Sequence, residues 1–133
     1  MILVGSSVWI DYFNGQNTPQ VELLDQLLST QPLAIGDIIL TEVLQGFRQD
    51  ADYVTAKQIL TSLTIFQLIN TDLAINSADN FRTLRKRGIT VRRTVDVIIA
   101  TFCIEAKHAL LFSDRDFIPF VQHLGLNAVR MPE

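Results

Sequence analysis

Short apolar runs alternate along the chain with longer stretches in which apolar residues recur at helical spacing. Brief continuous apolar runs are typical of buried strands, and spacings of three and four residues are typical of helices. The runs predict strands at residues 2–4, 33–35, 65–68, 109–112 and 128–131. The longer stretches predict helices at residues 8–13, from 19 onward, and at 38–48, 50–63, 71–87, 95–107 and 117–124.

Three local signals predict where helices begin or end. Thr18 followed by Pro19 predicts an N-cap and a proline in the first helical turn. Gly88 predicts the end of the long helix before it, because glycine readily adopts the conformation that follows many helices. Thr94 is predicted to cap the helix over 95–107, which is apolar almost all round and is therefore expected to be buried.

Strands that alternate with helices predict an α/β fold with a mainly parallel central sheet flanked by helices. A length of 133 residues fits one compact domain, here residues 1–133. In open sheets of this kind, ligands bind beyond the carboxyl ends of the strands. The strand ends at Gly5-Ser6 and at Ser113-Asp114 are therefore the places where we expect a site.

Composition narrows the classes of function. The net charge of −3 excludes nucleic-acid binding through overall charge, so any such contact needs a local basic patch. No apolar stretch approaches the roughly 20 residues of a membrane span, and the N-terminus does not resemble a signal peptide. These features predict a soluble, cytoplasmic protein without membrane contact. The single cysteine, Cys103, excludes an internal disulfide and is expected in the core.

Four carboxylates occupy positions of chemical interest: Glu42, Asp96, Asp114 and Asp116. Each has an ordinary interpretation, because the helix dipole favours Asp96, turns favour aspartate, and Glu42 can be solvated. If the four converge, their mutual repulsion requires a cation, and oxygen ligands suit Mg²⁺ or Mn²⁺. Gly46, one helical turn beyond Glu42, is predicted to allow the close approach of another group.

Four segments, in this order, resemble the PIN domains of VapC toxins: ILVGSSVWIDYF, TEVLQGF, TVDVIIA and SDRDF. The resemblance runs over essentially the whole chain. It implies a PIN-like three-layer fold and the toxin of a type II toxin–antitoxin system, a Mg²⁺-dependent endoribonuclease that cleaves RNA with metal-activated water. It also implies a VapB-type antitoxin as partner, a homodimer, and operator DNA contacted only through the antitoxin.

The resemblance also assigns residues to the site. Carried over position by position, Glu42, Asp96, Asp114 and Asp116 match the acidic metal-binding site of the family. The family pattern has an aspartate at the end of the first strand, where this chain has Gly5. Because glycine offers no side-chain oxygen, the resemblance predicts that this chain is impaired or inactive.

Further polar residues surround these positions. Ser6 or Ser7, together with Thr94, match small hydroxyl residues of the family and are expected to orient ligands or water, with turn and N-cap roles as the alternative. Arg92 and Arg93 lie shortly before Asp96 and are predicted to contact the RNA backbone.

Two other hypotheses remain open at this point. The chain can be a catalytically dead PIN domain that acts as an RNA- or antitoxin-binding module, which Gly5 favours and the four retained acids disfavour. It can also be a phosphate-handling α/β domain such as a receiver or phosphatase, although Gly5 then stands where the nucleophilic aspartate is expected.

Overall fold

The computed structural model describes residues 1–131 as a parallel sheet with helices around it. The strands are β1 (Ile2–Val4), β2 (Leu33–Gly36), β3 (Thr64–Phe66), β4 (Ala109–Leu111) and β5 (Asn127–Ala128). Their order across the sheet is β3-β2-β1-β4-β5, and every neighbouring pair is parallel. The predicted α/β fold with a parallel central sheet is therefore confirmed, and the carboxyl ends of all the strands lie at one edge.

The helices follow the predicted order along the chain. They are α1 (Ser6–Phe13), α2 (Pro19–Thr30), α3 (Asp37–Gln45), α4 (Asp50–Thr61), α5 (Thr71–Lys86), α6 (Thr94–Ala106) and α7 (Ile118–His123). The hydroxyl of Thr18 accepts a hydrogen bond from the backbone N–H of Val21 over 3.1 Å, which confirms the predicted cap. Gly88 has a φ of +81°, as expected of a glycine just past a helix.

Two predictions about helix ends are wrong. Thr94 does not cap α6 but is its first residue, and the N-cap is Arg93, whose side chain makes no capping hydrogen bond. No group from elsewhere in residues 1–131 approaches Gly46 closely, because a Cβ built there would meet only the backbone oxygens of Val43 at 3.6 Å and Glu42 at 4.0 Å. Gly46 is instead the C-cap of α3, which ends earlier than predicted.

The close approach predicted at Gly46 occurs at Gly36. A Cβ built on Gly36 would lie 2.5 Å from Cδ1 of Leu68, a side chain with 1% of its surface exposed. The backbone N–H of Leu68 also donates to Oδ1 of Asp37 over 3.2 Å. The chain thus leaves the sheet after Phe66, short of the predicted strand end at residue 68, and packs Leu68 over Gly36.

The last strand is also shorter than predicted. Only Asn127 and Ala128 pair with β4, so the predicted strand over 128–131 is reduced to a two-residue bridge at the sheet edge. The predicted burial of α6 is confirmed, since Val97, Ile99 and Ala100 are almost fully enclosed. Within residues 1–131, none of the helices has both the length and the apolar character needed to span a bilayer.

Candidate metal centre

The site forms where β1 and β4 end side by side. The two strands pair in parallel with Val4 opposite Leu111, and the backbone N–H of Gly5 donates to the carbonyl of Leu111 over 2.8 Å. Residues that follow these two strands therefore share one cavity, although they are far apart in sequence. Its polar lining, named here the site cavity, consists of Gly5, Ser6, Ser7, Arg93, Asp96, Ser113 and Asp114.

Three carboxylates converge here, and two of them, Asp96 and Asp114, line the cavity. Asp96, Asp114 and Asp116, called the carboxylate cluster below, each place one oxygen within 4.8 Å of the others. Asp96 is the buried member, with 4% of its surface exposed, because the first turn of α6 is enclosed. Asp114 follows β4, and its Oδ1 accepts a hydrogen bond from the backbone N–H of Asp116 over 2.9 Å. This bond caps a short 3-10 turn (Arg115–Phe117) and fixes the two residues relative to each other.

The carboxylate cluster fits a cation. Burial raises the pKa of Asp96 to about 6, while Arg93 opposes the shift and Asp114, Glu42 and Asp116 add to it by repulsion. The Oδ2 atom of Asp96 is buried and has no hydrogen-bond partner among the described residues. A buried acceptor without a partner costs free energy, and so does repulsion between close carboxylates. Hard divalent ions with oxygen ligands relieve both costs.

Glu42 lies beside the cluster but is not a member of it. Its Oε1 accepts a hydrogen bond from the hydroxyl of Ser6 over 2.7 Å, and its Oε2 accepts one from Nη2 of Arg93. Among residues 1–131, the group of carboxylates close enough to share an ion consists of the other three acids. The structure therefore brings together three of the four predicted acids and holds the fourth in separate contacts.

Both arginines that we predicted to contact RNA pair with acidic residues of the site. Nε of Arg92 lies 3.1 Å from Oδ2 of Asp116, and Arg93 pairs with Glu42. The Arg93 side chain is 47% exposed and lines the site cavity, whereas that of Arg92 is 76% exposed. Arg93 is therefore the more enclosed of the two positive charges.

Gly5 lines the site cavity without needing to be glycine. Its φ of −69° and ψ of 158° are open to any residue. A Cβ built on it would meet the carbonyl oxygen of Leu111 at 3.5 Å and Cβ of Phe112 at 3.9 Å, which are ordinary contacts. The backbone at position 5 thus has room for a side chain on the cavity wall that also carries Asp96.

The predicted hydroxyl residues lie in two different parts of the structure. Ser6 and Ser7 line the site cavity, and Ser6 contacts Glu42 directly. Thr94 is exposed and lines a separate groove between α5 and α6, so the geometry does not support its predicted role beside the acids. Ser113, which sequence reasoning did not select, also lines the site cavity. The signal for it was its position between the end of β4 and Asp114.

Comparisons with known proteins identify the family. A family model described as PIN domain matches residues 2–120. Ribonuclease VapC11 of Mycobacterium tuberculosis is 30% identical over 133 residues, which cover 96% of this chain and 97% of that protein. A VapC ribonuclease of Mycobacterium bovis matches to the same extent. The chain therefore belongs to the PIN-domain family and, within it, to the VapC ribonucleases.

Solved structures show the same fold. The crystal structure of VapBC2 from Rickettsia felis, bound to a DNA fragment from its promoter, has a TM-score of 0.73 at 20% identity and matches 99% of this chain and 100% of that one. VapC20 of Mycobacterium tuberculosis, a toxin that cleaves the sarcin–ricin loop, has a TM-score of 0.70 at 17% identity and matches 98% and 99%. At these identities the likeness establishes the PIN-like fold alone.

Proposed function

We propose that this chain is the toxin of a toxin–antitoxin system and that its site is a metal-dependent endoribonuclease centre. The observation that carries the proposal is the convergence of Asp96, Asp114 and Asp116 within 4.8 Å, with the buried Oδ2 of Asp96 unpartnered among the described residues. The ribonuclease names of the relatives at 30% identity support RNA as the substrate class.

Asp96, Asp114 and Asp116 would hold the metal ion, and Mg²⁺ or Mn²⁺ suits three carboxylates. When bound, such an ion supplies positive charge that acidifies a water and neutralises charge on a phosphodiester. The chain's own contribution is to hold the carboxylates in a fixed geometry. Asp96 is fixed by burial in α6, the carboxylate of Asp114 by the hydrogen bond it accepts from the backbone N–H of Asp116, and that of Asp116 by Arg92.

We also propose that Gly5 lowers the metal affinity and the activity of this chain. Position 5 lies in the wall of the site cavity beside Asp96 and has space for a side chain, yet it supplies no oxygen. Loss of even an indirect partner of a metal typically lowers affinity or activity about 10–100-fold. We expect a missing carboxylate at this position to cost at least as much.

The test compares the parent chain with Gly5→Asp on total RNA, with Mg²⁺ and with EDTA. Gly5→Asn serves as a matched control, because it fills the same space without a negative charge. We expect cleavage by Gly5→Asp in Mg²⁺, none in EDTA or after the further change Asp96→Asn, and at least roughly ten-fold slower cleavage by the parent and Gly5→Asn. Equal rates for parent and Gly5→Asp would contradict the impairment, and absence of both cleavage and metal binding in Gly5→Asp would contradict the function.

The proposed partners follow from the same family. Structural neighbours include VapBC complexes from Rickettsia felis and Haemophilus influenzae, which supports a VapB-type antitoxin as the partner of this chain. Operator DNA would then be contacted only through the antitoxin. A homodimer of the chain is part of the proposal, and light scattering of the purified protein tests it by mass.

A binding module without catalysis is the second candidate. Gly5 favours it, because position 5 lines the site cavity and supplies no carboxylate for a metal. In that case the parent binds RNA or antitoxin in EDTA as tightly as in Mg²⁺, and Gly5→Asp gains no cleavage. Calorimetric titration of Gly5→Asp with Mg²⁺ separates the two candidates, since the nuclease centre then requires metal affinity and the module does not.

A further inference from the structure

We infer that Glu42 is a positioning residue that acts through Arg93 rather than a ligand of the metal ion. In this arrangement Ser6 fixes Glu42, and Glu42 holds Arg93 at the rim of the site cavity, where its remaining N–H groups would bind a phosphate of the RNA. The inference rests on the proposed ribonuclease function and gives separate roles to the four acids of the site.

The contacts of Glu42 are the first observation that supports the inference. Both oxygens of its carboxylate are engaged, Oε1 by the hydroxyl of Ser6 over 2.7 Å and Oε2 by Arg93. These partners lie in different elements, α1 and the segment before α6, so Glu42 ties α3 to both. Among residues 1–131, the carboxylates close enough to share an ion do not include Glu42, so binding a metal through Glu42 would require its carboxylate to move away from these partners. The three acids of the carboxylate cluster already lie within reach of one ion, and Oδ2 of Asp96 has no partner among residues 1–131.

The balance of charges in the site is the second observation that supports the inference. Arg93 compensates Glu42, and Arg92 compensates Asp116. Asp96 and Asp114 then remain as two negative charges without an ion-pair partner among the described residues, which matches one divalent cation. Recruiting Glu42 to the ion would leave the guanidinium of Arg93 without its anion beside that ion, and like charges in a partly buried site repel strongly.

The position of Arg93 is the third observation, and it supports contact with a phosphate. Its side chain lines the site cavity together with Asp96 and Asp114, yet about half of its surface is open to solvent. A guanidinium has five N–H donors in a planar fork, and within the described residues one of them is engaged, by Glu42. The free donors can bind a phosphate in the two-pronged geometry that arginine favours.

The first arm of the test measures metal affinity by calorimetry on the full chain, with Mn²⁺ and with Mg²⁺ alone. We expect Glu42→Gln to keep the Kd within about three-fold of the parent, whereas Asp96→Asn weakens it at least roughly ten-fold. Glu22→Gln, in an exposed position of α2, is the matched control for loss of one carboxylate. A ten-fold or greater loss for Glu42→Gln, with the fold intact by circular dichroism, would overturn the inference.

The second arm measures binding of a single-stranded RNA oligonucleotide in EDTA by fluorescence anisotropy. We expect Arg93→Gln to weaken binding and to lower the salt slope by about one unit, as loss of one phosphate contact does. Arg85→Gln, at the end of α5, is the matched arginine control. An unchanged affinity and slope for Arg93→Gln would overturn the assignment of Arg93 to a phosphate.

The third arm is a double-mutant cycle on RNA cleavage in the Gly5→Asp background. If Glu42 acts through Arg93, Glu42→Gln lowers kcat/KM alone but adds less than two-fold to the loss already caused by Arg93→Gln. Ser6→Ala, which removes the other hydrogen bond without changing charge, should lower kcat/KM and leave the metal Kd unchanged. Full additivity of Glu42→Gln and Arg93→Gln would contradict the inference.

Failure of the proposed function gives a different pattern of results. If Asp96→Asn leaves metal affinity unchanged, the metal centre itself is wrong, while the RNA-binding arm still decides the role of Arg93. If Asp96→Asn abolishes metal binding and Glu42→Gln does so too, the metal centre stands and only the role given to Glu42 is wrong.

Discussion

Nε of Arg92 donates a hydrogen bond to Oδ2 of Asp116 over 3.1 Å, so a positive charge of the chain already contacts one member of the carboxylate cluster. The arginine side chain is 76% exposed and that of the aspartate 19%, which places the pair at the open side of the site. The guanidinium and an incoming metal ion therefore compete for the same carboxylate.

Removing this competitor should tighten metal binding. Arg92→Gln leaves Asp116 free and removes a nearby positive charge, and an exposed ion pair is typically worth about 0.2–1 kcal/mol. We expect the Mn²⁺ Kd to fall by up to roughly five-fold at low ionic strength, and the gain to shrink in high salt. Calorimetry at two salt concentrations measures both. A weaker Kd in Arg92→Gln would show that Arg92 supports the site instead.

Stability without metal should depend on the ionisation of Asp96. Burial raises its folded-state pKa to about 6 from the ordinary value of 3.8, so the folded state binds the proton more tightly than the unfolded state does. The free energy of unfolding should therefore fall as pH rises from about 4 to about 6 and then level off. The contribution is up to about 3 kcal/mol, because one pKa unit corresponds to about 1.4 kcal/mol.

Asp96→Asn isolates this contribution, since the amide has the same shape and no charge. In EDTA, we expect the variant to be more stable than the parent at pH 8 and similar to it at pH 4. Urea unfolding followed by circular dichroism at both pH values is the measurement. A parent that gains stability between pH 4 and pH 6 relative to Asp96→Asn would contradict the predicted sign.

Two glycines should respond oppositely to alanine. At Gly36 a Cβ would lie 2.5 Å from Cδ1 of Leu68, which is buried and cannot move freely, so Gly36→Ala should destabilise the protein by about 1–3 kcal/mol. At Gly5 the nearest contact would be 3.5 Å, and Gly5→Ala should be neutral or stabilising by up to about 1 kcal/mol. Thermal unfolding of the two variants beside the parent compares them directly, and equal effects would refute the difference in packing.

Cys103 should report on opening of the core. The residue is 1% exposed and burial raises the pKa of its thiol to about 12, so the reactive thiolate is suppressed in the folded protein. We expect no labelling by a disulfide reagent at pH 8 over the time in which the urea-unfolded chain reacts completely. Rapid labelling of the native protein would show that α6 opens locally.

The helices were predictable because their signals are local. The Thr18-Pro19 start and the Gly88 end depend on neighbours within a few residues, and both are found in the structure. The apolar residues on almost every face of α6 likewise predicted that this helix is buried. The errors at Thr94 and Gly46 have one cause, namely that a cap or a close approach depends on what the surrounding chain places there.

The sequence by itself determined the alternation of strands and helices, the positions of the four acids and the absence of a side chain at Gly5. Tertiary structure decided which of them meet. Periodicity describes one element at a time, so it carries no information that β1 pairs with β4 and brings Gly5 beside Asp114. The separation of Glu42 from the carboxylate cluster was decided in the same way. Its bonds to Ser6 and Arg93 join residues that are distant in sequence and become neighbours only when the sheet has formed.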